Sequence, residues 1–171
     1  LQLRAKGSTD AEVRGLAEAL RRVTLALEVP LLLNARLDLA REVGADGVQL
    51  PERGPSVADA RAILGPERII GVSRHDAQGL ARARVEQATF ATLSPVFATP
   101  GKGTPIGLDR LRELVTAPVP ALPVLALGGI RREDVASIVR AGAHGVAVIG
   151  AVMRSLQPFQ ALSDLVDAVA E

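Results

Sequence analysis

The sequence predicts an α/β protein with parallel strands, and more narrowly a (β/α)8 TIM barrel whose first βα unit is missing from the given chain. Two observations carry this prediction: short apolar runs alternate with segments of helical periodicity, and polar side chains lie inside or directly after the runs. An open sheet covered by helices has no polar interior, whereas the carboxyl mouth of a barrel receives such side chains. The 171 residues match one domain in length, so we expect a single domain over residues 1–171.

The predicted strands are short apolar runs bounded by glycine, proline or polar residues. Each is too short for a helix and is typical of a strand buried on both faces. The runs are Leu1–Arg4, Leu31–Leu33, Gly47–Leu50, Ile69–Val72, Phe90–Leu93, Val124–Leu127 and Gly145–Ile149. Because the chain starts with a strand pattern and without methionine, we expect a further strand upstream in the gene product.

The predicted helices lie between these runs and repeat apolar residues with a period of 3.6. The shared faces are Val13, Leu16, Leu20, Val23 and Leu27; then Leu108, Leu111 and Val115; and finally Leu162, Leu165, Val166 and Val169. Short polar side chains precede two of these segments and can cap them. They are Ser8, Thr9 or Asp10 for the first helix and Ser56 for the helix before Ile63.

Composition argues against several classes of function. Lys and Arg number 20 against 19 Asp and Glu, and this balance argues against a nucleic-acid partner. Aromatic residues are 2% of the chain, which leaves few platforms for stacking bases. Without cysteine there are no disulfides or thiolate nucleophiles. No apolar run approaches the roughly 20 residues of a membrane helix, so we expect a cytoplasmic protein without a membrane partner.

Two glycine-containing loops predict a phosphate site. One follows the strand Val124–Leu127, and the other follows the next strand and leads into a short helical segment, Val152–Ser155. In barrels, the loops after the last two strands and a short extra helix commonly bind phosphate through backbone N–H groups. The predicted phosphate-binding residues are Gly128, Gly129, Ile149, Gly150 and Ala151. The alternative is that the glycines only make tight turns.

His75 is the predicted catalytic residue. It follows the strand Ile69–Val72, which would bring it to the catalytic face of a barrel, and histidine can move protons at neutral pH. His144 precedes a strand and is expected at the opposite, structural end. The alternative for His75 is an ordinary histidine on a surface loop.

The remaining site residues are polar side chains at strand exits and in the long loop Ser94–Pro105. Gln2, Arg4 and Lys6 alternate along one strand and should point the same way, toward a phosphate or carboxylate. Lys102 could close over a bound anion, although it and Lys6 could also be solvated, and Arg4 could sit in an ordinary ion pair. The predicted substrate-binding residues are Gln2, Arg4, Lys6, Asn34, Gln49, Ser94, Thr99 and Lys102. The strand exits carry no carboxylate pair, so no metal site is predicted.

Seven segments, in this order, resemble the thiamine phosphate synthase and thiazole tautomerase family. They are Leu1–Lys6, Asn34–Ala40, Gly44–Pro51, Gly71–His75, Ser94–Lys102, Pro123–Ile130 and Gly145–Ala151. Each motif alone is modest, but seven in register are specific. The resemblance implies a (β/α)8 barrel, a small phosphate ester as partner and a role in thiamine biosynthesis.

Departures from the family pattern favour the tautomerase branch. The synthase joins a pyrimidine pyrophosphate to a thiazole phosphate with magnesium, which aspartates help to hold. Ala35 stands where one aspartate is expected, and Gln49–Gly54 contains none. We therefore expect an isomerase that aromatises a carboxythiazole phosphate by a 1,3-proton shift at His75, with no cofactor.

Two other readings remain open. One is the synthase, a transferase that uses magnesium and binds pyrophosphate through Arg4, Lys6 and Lys102. The other is a binding protein for thiazole phosphate or thiamine phosphate without catalytic activity. Whether the chain forms a homo-oligomer is left open.

Overall fold

The structure is a computed structural model that describes residues 1–116 and 122–170. The chain forms two compact units, the first comprising Leu1–Ser73 and Val85–Thr89, the second Arg74–Arg84 and Phe90–Glu171. The strand pairs within each unit are parallel, and strands alternate with helices, which confirms the predicted α/β class. The closed eight-stranded barrel stays a prediction. Among the described residues no helix is both long enough and apolar enough to cross a membrane.

The first unit contains the strands that open the chain, and each pairs with the next along the sequence. The strands are β1 (Gln2–Leu3), β2 (Leu32–Asn34), β3 (Gly47–Leu50) and β4 (Ile69–Arg74), whose last residue belongs to the second unit. The helices are α1 (Asp10–Ala26), α2 (Leu37–Glu42) and α3 (Val57–Leu64).

The second unit continues the alternation, with β5 pairing β6 and β6 pairing β7. The strands are β5 (Phe90–Leu93), β6 (Val124–Leu127) and β7 (Gly145–Ala147). The helices are α4 (Ala77–Val85, whose last residue lies in the first unit), α5 (Gly107–Val115), α6 (Val135–Arg140) after a 3-10 turn (Arg132–Asp134), α7 (Gly150–Met153) and α8 (Pro158–Ala170).

The middle strands form the core of the first unit, as the apolar runs predict. All four residues of β3 are buried, including the polar Gln49. The first residue of β3, Gly47, has to be glycine because a Cβ atom at this position would overlap the Ile69 carbonyl oxygen of β4. A larger residue at position 47 would therefore push these two strands apart.

The carboxyl ends of four strands differ from the predicted ones, and β2 ends at Asn34, one residue past the predicted Leu33. β1 ends at Leu3, so Arg4 lies beyond the strand instead of within it. β4 continues to Arg74, two residues past the predicted end. β7 ends at Ala147 because Val148 and Ile149 turn the chain toward α7. Hydrophobicity alone could not find these ends, since polar residues continue β4 to Arg74 whereas apolar residues follow the end of β7.

The apolar faces predicted for α1 and α8 are partly wrong. In α1 the buried residues are Val13, Ala17 and Thr24, while Leu16 is 49% exposed and Val23 is 55% exposed. In α8 the buried residues are Leu165 and Ala168, and the large side chains of Leu162, Val166 and Val169 are exposed. Small residues let each helix pack closely, and periodicity cannot choose between two adjacent apolar stripes.

Both predicted helix caps form reciprocal capping boxes. Thr9 Oγ1 accepts the Glu12 N–H, and the Glu12 carboxylate accepts the Thr9 N–H at 2.7 Å. Ser56 and Asp59 repeat this arrangement at the start of α3. The backbone N–H of each cap residue, helped by its hydroxyl, lowers the pKa of the carboxyl of Glu12 or Asp59. Each cap thus satisfies backbone donors at the start of its helix.

Asp46 connects α1 to the start of β2. Its carboxylate accepts the Arg21 guanidinium at 2.5 Å and the Leu31 N–H at 2.8 Å. Burial acts to raise the pKa of Asp46, but the Leu31 N–H and the Arg21 guanidinium outweigh it and lower the pKa below the usual value. The ionised carboxylate therefore stabilises the folded state.

We predict that Asp46→Asn lowers the free energy of unfolding by about 1–2 kcal/mol at pH 7, because a charge-assisted hydrogen-bond acceptor is lost. A carboxyl with a lowered folded-state pKa stabilises above its unfolded-state pKa, and this contribution is lost as pH falls through the folded-state pKa. The difference between wild type and variant should therefore shrink below about pH 4. Urea unfolding at pH 7 and pH 3 measures it. The control is Asp38→Asn, since Asp38 is exposed and its nearest partner, Arg41, is 3.4 Å away. Equal losses in the two variants would contradict the role of Asp46.

Candidate functional site

A cavity of about 190 Å³ lies in the first unit at the carboxyl ends of β1 and β2. Arg4, Lys6 and Arg36 are among its lining residues, and so is Asn34 at the end of β2. Both Arg4 and Lys6 are exposed to solvent. Three cationic side chains and no carboxylate line this cavity, which suits a multiply charged anion.

Arg36 is a cationic residue of the cavity that the predicted site omits. Its guanidinium pairs with Asp10 and donates to the Ser8 carbonyl oxygen at 2.7 Å. These bonds tie the cavity wall to the start of α1. The sequence signal that could have indicated Arg36 is its position two residues after Asn34, just beyond the carboxyl end of the same strand.

The polar residues on the strands of the first unit form two side-chain pairs. The Gln2 amide donates to Asn34 Oδ1 at 3.1 Å, which joins the ends of β1 and β2. The Gln49 amide donates to Ser73 Oγ at 3.1 Å, which joins β3 and β4. Gln49 is 3% exposed, so its amide is oriented within the core. The structure thus brings together Gln2 and Asn34, two of the residues that the sequence lists for substrate binding.

The backbone of Ala35 has a conformation that alanine rarely adopts. Its φ of 62° lies in the left-handed region, which asparagine, aspartate and glycine adopt more readily than alanine. Its N–H donates to the Gln49 carbonyl oxygen at 3.0 Å, which holds this conformation. A methyl side chain offers no metal ligand. In residues 1–116 and 122–170, no group of three or more His, Cys, Asp or Glu could hold a metal ion.

His75 lies in the second unit, directly after β4, and its ring contacts Ser94, the residue that follows β5. Its Nδ1 is 2.5 Å from the backbone carbonyl oxygen of Ser94, whereas Ser94 Oγ is 3.4 Å away. A carbonyl oxygen only accepts hydrogen bonds, so Nδ1 is the donor and carries the proton. In the neutral ring, Nε2 is then the hydrogen-bond acceptor.

The loop that carries His75 is anchored on both sides. Before it, the buried Arg74 donates from Nε to the Gly79 carbonyl oxygen at 3.1 Å. After it, Asp76 Oδ1 accepts the Gly79 N–H at 2.7 Å and caps α4. A Cβ atom on Gly79 would lie 2.9 Å from Arg74 Cδ, so this packing requires glycine. His144, in contrast, lies before β7, where its Nδ1 accepts the Val124 N–H at 3.3 Å.

The Gly128–Gly129 loop packs directly on the segment after β5. The Val96 N–H donates to the Leu127 carbonyl oxygen at 2.9 Å, and the Phe97 N–H donates to the Gly128 carbonyl oxygen at 3.0 Å. A Cβ atom on Gly129, whose φ is 65°, would lie 2.6 Å from the Ala98 carbonyl oxygen. Within the described ranges, neither Gly128 nor Gly129 donates its backbone N–H to another residue. These glycines allow close approach of two loops and leave donors available.

The second predicted phosphate loop lies beside the first. Leu127 pairs with Ala147 in the parallel ladder, so β6 and β7 end at the same edge. The chain then passes through Ile149, which is 56% exposed, into Gly150 and Ala151 at the start of α7. The two predicted phosphate loops therefore leave the same edge of the sheet, and phosphate binding by their five residues remains a prediction.

The long loop after β5 presents two further predicted residues. Thr99 Oγ1 donates to the Phe97 carbonyl oxygen at 2.9 Å and would lie 3.1 Å from a Cβ atom on Gly128. Lys102 is exposed, and its backbone N–H donates to the Thr99 carbonyl oxygen at 3.1 Å. Thr99 therefore adjoins the glycine loop, while closure of Lys102 over a ligand stays a prediction.

Comparison with known proteins gives a consistent result. The profile of the thiamine monophosphate synthase family matches residues 1–152. A putative thiamine-phosphate synthase of Geobacter sulfurreducens is 42% identical over 92% of this chain and 75% of its own length. The thiamine-phosphate synthase of Roseiflexus castenholzii is 41% identical over 100% of this chain and 75% of its own length.

A solved structure agrees with these relatives. Thiamine phosphate pyrophosphorylase from Pyrococcus furiosus superposes with a TM-score of 0.90 at 31% identity, covering 99% of this chain and 81% of that one.

These relatives overturn the expected tautomerase branch and the isomerase activity. The expectation rested on missing carboxylates at Ala35 and in Gln49–Gly54, yet the relatives that share up to 42% of the sequence are named synthases. The motif that carries His75 cannot decide between the branches, because a histidine in a loop suits a proton shift and substrate contact equally well. The tautomerase prediction is wrong.

We predict that Gly129→Ala destabilises the protein more than Gly101→Ala. Both glycines have a positive φ, which costs an alanine about 1–2 kcal/mol. A Cβ atom on Gly101 would meet nothing within 4 Å, whereas one on Gly129 would collide with the backbone of Ala98. Urea unfolding should show an additional loss of about 1–3 kcal/mol for Gly129→Ala, because overpacking distorts the backbone. Equal losses would mean that the two loops are not packed as described.

Proposed function

The chain belongs to the thiamine monophosphate synthase family, and on that premise we propose that it is a thiamine-phosphate synthase. This transferase joins a pyrimidine pyrophosphate to a thiazole phosphate and releases pyrophosphate. In such a transfer the carbon–oxygen bond to pyrophosphate breaks, the leaving group keeps the electron pair, and the thiazole ring nitrogen forms the new carbon–nitrogen bond. The observation that carries the proposal is the 41% identity to a thiamine-phosphate synthase over the full chain.

We propose that the cationic cavity of the first unit binds the pyrophosphate. Arg4 and Lys6 line it, and Arg36 adds a third cation that the carboxylate of Asp10 partly neutralises. Pyrophosphate carries several negative charges, and charge-assisted hydrogen bonds to guanidinium and ammonium groups are strong. These cations would stabilise the negative charge that grows on the leaving group as its bond breaks.

We propose that the two glycine loops of the second unit bind the phosphate of the thiazole substrate. The N–H groups of Gly128 and Gly129 have no acceptor among the described residues, and together with those at the start of α7 they would form a set of backbone donors. Backbone N–H groups can surround a phosphate closely only where side chains are small. Glycine at positions 128, 129 and 150 meets this condition.

His75 has a different role in this reaction from the expected one. A ring nitrogen that attacks carbon has no proton to lose, so the transfer needs no general base. We propose that His75 Nε2 accepts a hydrogen bond from a substrate, with Nδ1 committed to the Ser94 carbonyl oxygen. Gln49, Ser94 and Thr99 remain proposed contact residues, and Lys102 remains a proposed closing residue.

Magnesium, which the family resemblance implies for the synthase, does not fit the residues present. The position of the expected aspartate is Ala35, and no cluster of ligating side chains occurs in the described part of the chain. The cavity therefore offers cationic side chains for the pyrophosphate charge, without protein carboxylates for a metal. No step of the proposed transfer is assigned to a metal here.

We also propose that the parallel strands belong to a (β/α)8 barrel of one domain. The parallel order of β1 to β4 and of β5 to β7 supports this, as does the TM-score of 0.90 with the Pyrococcus furiosus protein.

The test of the function is product formation by the purified protein. Pyrimidine pyrophosphate and thiazole phosphate should yield thiamine phosphate and one equivalent of pyrophosphate, measured by chromatography and a pyrophosphate assay. The reaction is run with and without magnesium. If no thiamine phosphate forms under either condition, although both substrates bind, the chain is a binding protein and the proposal is wrong.

We predict that Arg4→Gln raises the KM for pyrimidine pyrophosphate about tenfold, which corresponds to about 1.4 kcal/mol of lost interaction. The KM for thiazole phosphate should change less than twofold, because Arg4 acts on the pyrophosphate. Arg22→Gln is the control, since Arg22 is an exposed residue of α1 that does not line the cavity. Identical kinetics for the two variants would remove Arg4 from the binding site.

We predict that His75→Asn lowers kcat/KM about three- to tenfold, as expected for one hydrogen bond. The asparagine amide can still donate to the Ser94 carbonyl oxygen but presents no acceptor where Nε2 lies. His144→Asn, a change before β7, should leave kcat/KM unaltered. A loss of about 10²-fold or more in His75→Asn would instead indicate proton transfer by this residue.

A further inference from the structure

The buried Arg74 spans the short connection that carries His75. β4 ends at Arg74 and α4 begins at Ala77, so only two residues lie between the strand and the helix. Arg74 is 4% exposed, and its Nε donates to the carbonyl oxygen of Gly79 in the first turn of α4 at 3.1 Å. The side chain therefore joins the last residue of the strand to the start of the helix, past His75.

Gly79 leaves room for the Arg74 side chain. A Cβ atom on Gly79 would lie 2.9 Å from Arg74 Cδ and 3.3 Å from Arg74 Cβ. The backbone does not require glycine here, because Gly79 lies within α4 and its φ is outside the left-handed region. Glycine weakens a helix relative to alanine. The space that the arginine occupies therefore explains why glycine stands in the first turn of α4.

The ring of His75 is exposed, so its orientation depends on hydrogen bonds and on the backbone of this connection. Nδ1 contacts the Ser94 carbonyl oxygen at 2.5 Å. Ser94 is in turn bound to the end of β4, because its N–H donates to the Arg74 carbonyl oxygen at 3.1 Å. Arg74 thus binds Ser94 through its backbone and α4 through its side chain, with His75 between these two contacts.

We propose that Arg74 is a positioning residue for His75. By fixing the end of β4 against α4, the arginine keeps Nδ1 of His75 within reach of the Ser94 carbonyl oxygen, so the proton stays on Nδ1 and Nε2 stays an acceptor. This inference rests on the proposed function for the contact between Nε2 and a substrate, whereas the placement of the ring does not depend on it. The planar guanidinium suits this role, because its Nε–H has a fixed direction.

The first test is the tautomer of His75 in the full chain, read from the 15N chemical shifts of its two ring nitrogens. The sample is at about pH 8.5, above the usual histidine pKa of about 6.5, and His144→Asn assigns the signals. The wild type should carry the proton on Nδ1. Arg74→Met removes the guanidinium donors, and Gly79→Ala displaces the arginine. Both variants should move the shifts toward the mixture of tautomers found in free histidine.

Arg61→Met and Gly15→Ala are the matched controls. Arg61 also donates to carbonyl oxygens of a loop, those of Pro66 and Arg68 in the first unit. Gly15 lies within α1, where a Cβ atom would meet nothing within 4 Å. Both controls should leave the ring signals of His75 at their wild-type positions, even if they change the free energy of unfolding.

The second test is kinetic and separates positioning from a general loss of stability. Arg74→Met should lower kcat/KM for thiamine phosphate formation about threefold, which lies within the loss expected for one hydrogen bond of His75. In a His75→Asn background, the same change should alter kcat/KM less than about 1.5-fold, because a positioning residue acts through the residue that it positions.

The outcomes separate this proposal from the proposed synthase activity. Unchanged His75 ring signals in both Arg74→Met and Gly79→Ala overturn the role of Arg74. A wild-type ring with its proton on Nε2, or equal losses of kcat/KM in the two backgrounds, overturns it as well. If Arg74→Met does not fold, Gly79→Ala decides, because it removes no polar group. A protein that forms no thiamine phosphate refutes the synthase activity, while the ring signals still test Arg74.

Discussion

Parallel strand pairing is the constraint on which the rest of the structure depends. When neighbouring strands run in the same direction, their carboxyl ends meet at one edge, and every connection must return through a helix. In the first unit this brings Gln2 of β1 beside Asn34 of β2. In the second unit it brings the loops after Leu127 and Ala147 side by side. Functional side chains from distant parts of the sequence become neighbours because of backbone pairing.

Both candidate regions contain more hydrogen-bond donors than negatively charged acceptors. This excess of donors sets their chemical character. Arg4 and Lys6 line a cavity without carboxylates, and Gly128 and Gly129 leave backbone N–H groups without partners in the described residues. Unpaired donors and cations are costly unless an anion or water satisfies them. Under the proposed function, substrates that carry phosphate and pyrophosphate would supply the missing negative charge.

The missing carboxylates led the sequence interpretation to the wrong branch of the family. Ala35 offers no metal ligand, and from the sequence alone this absence favours the tautomerase branch. The relatives with 41% and 42% identity show that two motif positions carry less weight than agreement along the whole chain. Physically, charge on a pyrophosphate can be neutralised by arginine and lysine as well as by a metal. An absent ligand therefore does not identify the reaction.

The sequence by itself determined the alternation of strands and helices, the caps at Thr9 and Ser56, and the glycine loops, because each depends on neighbouring residues. The tertiary structure decided which stripe of α1 is buried, since the small Ala17 lies against the core and Leu16 does not. It also decided that β1 ends before Arg4 and that Ser94 sets the proton on His75 Nδ1. These features require contacts between residues far apart in the chain, and a local pattern contains no information about such distances.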